Sequence, residues 1–404
     1  MAKRETVREL NILRAIAIFG VLMVHATSLS VANLVKHDSF FIYNLLNTLA
    51  LYCVPTFVFL TGFTLFYNYY DRPMSGGDWS RFFRKRLVYI VIPYLFASLV
   101  YYSGVYFVLT RHPLNLASIN EFIRQLGERL ATGDAYTHLY YVLITIQLYA
   151  MFPLLLALFR RWPRLAAWAI PLGFAVQWSF YAMNRYVLHI PSKGTVAFTY
   201  FAPFLLGVFI GIYYEQVRKW LQPGTWSLRS RKAVWTVLLW VLWAASAALY
   251  VTVWYITRID NKALYHLWYE GGYNLFTFTS ILVLLQIVYP LYRKAPKQWV
   301  KGLDELGTLS FGVYLVHPGF LLLYRKLSPA VPLNWVYHVW VAGGFIFALG
   351  ASIALLVILY RYVGGISYVL GNLPDRYIGR HGPAAAPTDS LMKISKVRRA
   401  NRGR

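Results

Sequence analysis

Two side chains near the amino terminus carry chemistry that a hydrophobic segment rarely holds. In RELNILRAIAIFGVLMVHATSLS, Arg14 and His25 stand eleven positions apart within an otherwise apolar run. At about 100° per residue, eleven steps make three turns plus roughly 20°, so a helix carries both on one face. The axial offset is about 16 Å, which sets the arginine near one end of the run and the imidazole past its middle. An arginine keeps its charge, and its planar fork suits phosphate or carboxylate oxygens. A histidine takes a proton from a hydroxyl and returns one to a leaving group. Snorkelling of Arg14 and a structural hydrogen bond from His25 would account for the same residues, so the pair by itself leaves both readings open.

Other segments add candidates. Arg81, Arg84, Lys85 and Arg86 form a basic cluster ahead of the apolar LVYIVIPY. Such a cluster marks a cytoplasmic flank and is also suited to neutralising a phosphorylated ligand. His317, in SFGVYLVHP, is a second imidazole at membrane depth, which a hydrogen bond to a tyrosine explains equally well. CVPTFVFLTGF places a proline and a glycine inside a span, opening backbone groups and permitting close packing. Its Cys53 is the single cysteine of the chain, which excludes a disulfide framework and a cysteine metal cluster; mid-membrane, it reads as a packing residue. No metal site is expected. Glu121, Asp134 and Glu270 read as loop acids able to approach from outside.

The elements that must position these residues follow from composition. The chain has 404 residues, 58% hydrophobic and 14% charged, with a formal charge of +25. No ordinary soluble core hides that much apolar surface. The expectation is an all-α polytopic membrane protein with ten spans, at residues 10–34, 42–66, 87–109, 139–159, 165–181, 196–214, 234–256, 273–291, 306–323 and 335–360. With the amino terminus inside, 29 of the 40 Lys and Arg fall on the cytoplasmic side and 10 outside, leaving Arg14 within a span. That asymmetry puts both termini in the cytoplasm and accounts for the basic balance without nucleic acid. Residues 1–380 form the membrane domain, and 381–404 a disordered basic tail that rests on anionic lipid. The outer loop 110–138 holds an amphipathic stretch, Ile119 to Leu130. No cleavable signal peptide is expected.

Taken in order, Arg14-x10-His25, VPTFVFLTGF, FFRKRLVYIVIPY, HLYYVLITIQLY and SFGVYLVHP resemble the acyltransferase-3 family of integral membrane O-acyltransferases, from about residue 8 to residue 360. The HLYY and RLVYIVIPY variants are most similar to the branch often named exopolysaccharide export or intercellular-adhesion proteins. The resemblance implies a plasma-membrane enzyme that takes acyl-CoA (acetyl-CoA or similar) from the cytoplasm as a substrate, with no tightly bound cofactor. The acceptor is then a hydroxyl on a cell-envelope glycan at the outer side. The family pair maps onto Arg14 and His25, with His25 as general base. The family's Arg-x-x-Arg matches Arg81 and Arg84; in the other register Arg86 matches and Tyr89 replaces the second arginine. Arg14, Arg81, Arg84, Lys85 and Arg86 are then the candidates for the CoA phosphates. His317 or Tyr314 would steady the oxyanion or protonate the thiolate. Expected partners are acyl-CoA, the glycan, membrane lipid and a glycan synthase complex, with no nucleic acid. The alternatives are an exopolysaccharide exporter without acyl transfer, or a non-catalytic scaffold of a synthase; the lack of buried acids disfavours proton-coupled export.

Overall fold

The computed structural model describes residues 6–221, 231–327 and 334–371, and the expected tail at 381–404 lies outside them. All regular structure among the described residues is helical. Helix α1 spans Glu9–Asn33; α2 (Phe40–Leu49) runs through a tight 3-10 turn into α3 (Cys53–Tyr69). Next come α4 (Gly76–Arg86), α5 (Ile92–Ser103), α6 (Leu116–Thr132), α7 (Tyr140–Arg161), a short α8 (Pro163–Ala167) and α9 (Ala169–Met183). Helices α10 (Phe201–Ile212) and α11 (Tyr214–Leu221) meet at a bend of 96°. The carboxy-terminal part holds α12 (Arg231–Asp260), α13 (His266–Lys294), α14 (Lys297–Leu327), α15 (Trp335–Tyr362) and the one-turn α16 (Ser367–Leu370).

Eight helical stretches among the described residues are long and apolar enough to cross a bilayer, and the bent α10–α11 pair makes a ninth. The chain is an all-α polytopic membrane protein. The fifth expected span departs from expectation: its helix, α9, is only 15 residues long and does not reach that standard. Its α-helical ladder ends at Met183, where a π turn, Asn184–Leu188, takes over. Gln177 is buried, donating to the Asn274 side chain at 2.6 Å and accepting from the Ala202 N–H at 2.8 Å, so α9 is tied inward to α10 and α13.

Helix α1 runs through the interior, packed against α14, α2, α3 and α15. Small residues let these helices meet backbone to backbone, which dispersion rewards in lipid. At Gly307 on α14 a Cβ would stand 1.9 Å from the Asn11 carbonyl oxygen, and at Gly207 on α10 only 2.1 Å from that of Phe59. The outward faces are apolar: Val234, Val237 and Val241 on α12 and Ile346 and Ile358 on α15 are exposed, as lipid-facing side chains are.

One joint has a direct bearing on the site. Between α4 and α5, residues Leu87–Val91 form a π-helical turn in which the Ile92 N–H reaches back to the Leu87 carbonyl. Pro93 follows and has no N–H to give the Tyr89 carbonyl, so the α-helical ladder cannot be kept there. The widened turn carries Tyr89 and Ile90 inward. The amphipathic stretch expected in the outer loop is α6, capped at its start by the Asn115 side chain accepting from the Ser118 N–H at 2.9 Å. It anchors through Phe122, which stacks on Tyr102.

Candidate active site

Two cavities lie in the helix interior, and α1 contributes to both. The larger, about 270 Å³, is walled by α1, α3, α7, α14, the π turn and Gly371. Arg14 is its cation. The guanidinium donates to the Asn11 side-chain oxygen at 2.6 Å and to the Thr64 hydroxyl at 3.4 Å. Asn11 in turn donates to Asp304 at 2.9 Å, so the carboxylate orients the arginine through an amide instead of pairing with it. A cation held in this way keeps donors for an anionic guest. Tyr89, Tyr141, Tyr149 and Ser310 supply further hydroxyls to the wall.

The smaller cavity, about 70 Å³, lies further along α1 and is lined by His25, Val21, Val24, Leu51, Cys53, Val54, His138, Tyr140, Tyr273 and Tyr314. Tyr314 belongs to both cavities and forms the wall between them. Its hydroxyl is tied to the backbone carbonyl of His138. Three imidazoles converge here: His25 lies 5.2 Å from His317 and 6.4 Å from His138, ring centre to ring centre, and His138 lies 5.7 Å from His317. His317 has its Nδ1 3.0 Å from the Val313 carbonyl. A carbonyl only accepts, so Nδ1 carries the proton and Nε2 keeps a lone pair, which has no partner. Arg325, in the last turn of α14, donates to the carbonyls of His25 at 2.7 Å and Ala26 at 3.2 Å.

The sequence candidates divide between these places. Arg14 lines the large cavity, and His25 lines the small one with His317 beside it. Arg86 sits over the rings of Phe82 at 4.1 Å and Tyr149 at 5.1 Å, and Tyr149 itself lines the large cavity. Arg81 instead pairs with Asp78 at 3.5 Å on the exposed side of α4, where Arg84 and Lys85 also lie, and none of these three lines the cavity. Glu270 is not a loop acid but a buried residue of α13 that pairs with Lys193; Asp134 pairs with Arg129 and Glu121 with Arg124. Those three acids are thus engaged away from the histidines. No group of three or more His, Cys, Asp or Glu among the described residues is arranged to hold a metal.

His138 stands in the sequence only as the first residue of the HLYY motif, with no role of its own, and the structure brings it to the histidine pair; Tyr314, named with His317 for the oxyanion or the thiolate, lines both cavities. An imidazole at the mouth of a span was the available signal for the first. Residues 7–357 match the family model for an acyltransferase domain, Acyl_transf_3. The chain belongs to the acyltransferase-3 family. No curated protein and no solved structure matches it. The activity is therefore transfer of an acyl group other than aminoacyl, and the basic cavity and imidazole cavity of this membrane acyltransferase are where that chemistry has its candidate residues.

Proposed function

We propose that this acyltransferase takes an acyl group, acetyl or similar, from acyl-CoA on the cytoplasmic side and passes it to a hydroxyl of a cell-envelope or exopolysaccharide glycan on the far side. The observation that carries this is the pair of cavities sharing Tyr314 as a wall, one holding Arg14 and the other His25. A long donor with a polyanionic head and a reactive far end suits that arrangement. Arg14 takes phosphate oxygens, with Arg86 beside the same cavity, and the pantetheine arm carries the thioester past Tyr314 to His25. In this reading the amino terminus lies in the cytoplasm of a plasma-membrane protein, in keeping with the positive-inside bias of the sequence.

The chemistry balances with one base. His25 removes the proton from the acceptor hydroxyl as its oxygen attacks the thioester carbonyl carbon. The tetrahedral intermediate collapses, the C–S bond breaks, and the imidazolium returns its proton to the leaving thiolate. The products are an O-acyl glycan and free CoA thiol. The acceptor enters from the side of the membrane opposite the CoA head, and lipid fills the exposed apolar faces.

The test uses the purified protein in lipid nanodiscs with radiolabelled acetyl- or succinyl-CoA and envelope glycan. His25→Ala is expected to lower transfer by about 10²–10⁴-fold, the range of a lost acid–base group, while acyl-CoA binding persists. Full transfer by well-folded His25→Ala removes the proposed base. If the wild type binds no acyl-CoA and leaves the ester content of envelope glycan unchanged in cells, export or a scaffold role takes the place of this donor and acceptor.

A further inference from the structure

The least satisfied buried side chain at the site is His138. Its ring is only 2% exposed, and neither Nδ1 nor Nε2 has a hydrogen-bond partner. The Leu315 carbonyl accepts from the Tyr101 hydroxyl at 2.9 Å and stands close to the His138 ring without a hydrogen bond of regular geometry to it. A neutral imidazole always carries one N–H and one lone pair, so this residue buries a donor and an acceptor at once. Buried polar groups in folded proteins are nearly always paired, and each exception needs a reason.

The surroundings hold the ring in place without satisfying it. Tyr314, Tyr101 and Tyr136 lie around it at 5.0, 5.1 and 5.8 Å between ring centres, all at steep angles. The backbone carbonyl of His138 is fixed by Tyr314. The ring lines the small cavity together with His25. Arg258, a partly buried cation in the last turn of α12, makes the contrast: its guanidinium donates to the side chains of Asn44 at 2.7 Å, Asn47 at 3.3 Å and Thr48 at 3.5 Å. A rigidly placed, unpaired N–H beside the candidate base is what a carbonyl oxygen gaining negative charge requires.

We propose that His138 is a catalytic residue whose ring N–H donates to the carbonyl oxygen of the bound thioester, polarising it for attack and holding the oxyanion of the tetrahedral intermediate. The inference rests on the acyl-CoA reading above. His25 moves the proton, and His138 keeps its own throughout, so no further acid or base enters the step. Because the contact strengthens as charge develops, its loss is expected in kcat more than in KM.

The experiment is difference infrared spectroscopy of acetyl-CoA labelled with ¹³C at the thioester carbonyl, bound to the full chain in nanodiscs without acceptor. Wild type is compared with His138→Phe and His138→Leu, which lack a ring donor, and with His138→Gln, which restores one. The expected result is a carbonyl stretch lowered by binding to wild type, returned towards the free value in the Phe and Leu variants, and partly lowered again in Gln. In parallel, kcat should fall by about 10²–10³-fold in Phe or Leu, with KM for acyl-CoA little changed. A carbonyl stretch that is the same in wild type and in whichever of these variants folds overturns the assignment while leaving the donor reading intact. Absence of acyl-CoA binding by wild type overturns both.

Discussion

The two cavities differ in nearly every physical respect although one helix serves both. The arginine cavity is roomy, walled by hydroxyls, and adjoins the basic end of α4; its cation is oriented through an amide, with the carboxylate one residue removed. The histidine cavity is a quarter of that volume and walled mainly by tyrosines and aliphatic side chains, and two neighbouring imidazoles carry unpaired ring nitrogens. The first keeps a charge available for an anion, as the proposed binding of the donor head requires. The second suits a reaction, because a small space walled largely by apolar groups strengthens the polar interactions inside it. Tyr314 lines both, and the proposed function divides binding from chemistry along α1.

The largest expected contrast between the cavities is kinetic. Arg14→Ala should raise KM for acyl-CoA by about tenfold or more, the loss of a charge-assisted contact, with kcat much less affected, whereas His25→Ala does the reverse. Steady-state kinetics with varied acyl-CoA check this; equal effects of both substitutions on kcat would erase the division of labour. Asp304→Asn should give a milder KM increase, since it orients Arg14 only through Asn11.

Next in size is the wall itself. Tyr314→Ala should join the cavities, and the single cysteine, Cys53, reports on it because it is buried in the histidine cavity. Modification of Cys53 by a small methanethiosulfonate should quicken by roughly tenfold, as access sets the rate for a buried thiol. An unchanged rate in a folded variant would show that another residue separates the two spaces.

A smaller effect distinguishes the arginines of α4. Arg86→Ala removes a cation stacked beside the arginine cavity, worth about 0.5–2 kcal/mol, and should raise KM for acyl-CoA several-fold. Arg81→Ala, whose guanidinium pairs with Asp78 on an exposed surface, should leave KM nearly unchanged. Equal effects from the two would point to a donor head that lies across α4 instead of in the cavity.

The smallest effect lies in α6, away from both cavities. Hydrogen bonds from Arg124 and then Gln125 lower the Glu121 carboxyl to about 2. A carboxyl depressed in the folded state stabilises it above the unfolded value, roughly 4.3, and that contribution fades as pH falls towards 2. Arg124→Ala should move the Glu121 titration upward, as followed by carboxyl NMR, and leave acyl transfer at neutral pH untouched.

Much of the architecture was legible because bilayers impose simple rules. Long apolar runs place α1, α7, α12 and α15 within a few residues of their expected ends, since a helix is the only way for such a segment to satisfy its own backbone in lipid, whereas α13 and α14 begin seven and nine residues earlier than expected. The end of the fifth helix is not legible, because the π turn that replaces its α-helical ladder after Met183 leaves no mark in the residue pattern. Glu270 likewise looked like a loop acid until Lys193 accounted for its burial.

At the site, the sequence alone determined that Arg14 and His25 share a face, because helical geometry is local and periodic, and it determined the residue types able to bind an anion and move a proton. Tertiary structure alone decided that His138 and His317 gather around His25, that Tyr314 stands between the cavities, and that Arg86 adjoins the arginine cavity while Arg81 does not. Those relations join segments far apart in the chain, and they depend on how helices pack backbone to backbone at Gly207 and Gly307 and on where Pro93 breaks the helical ladder.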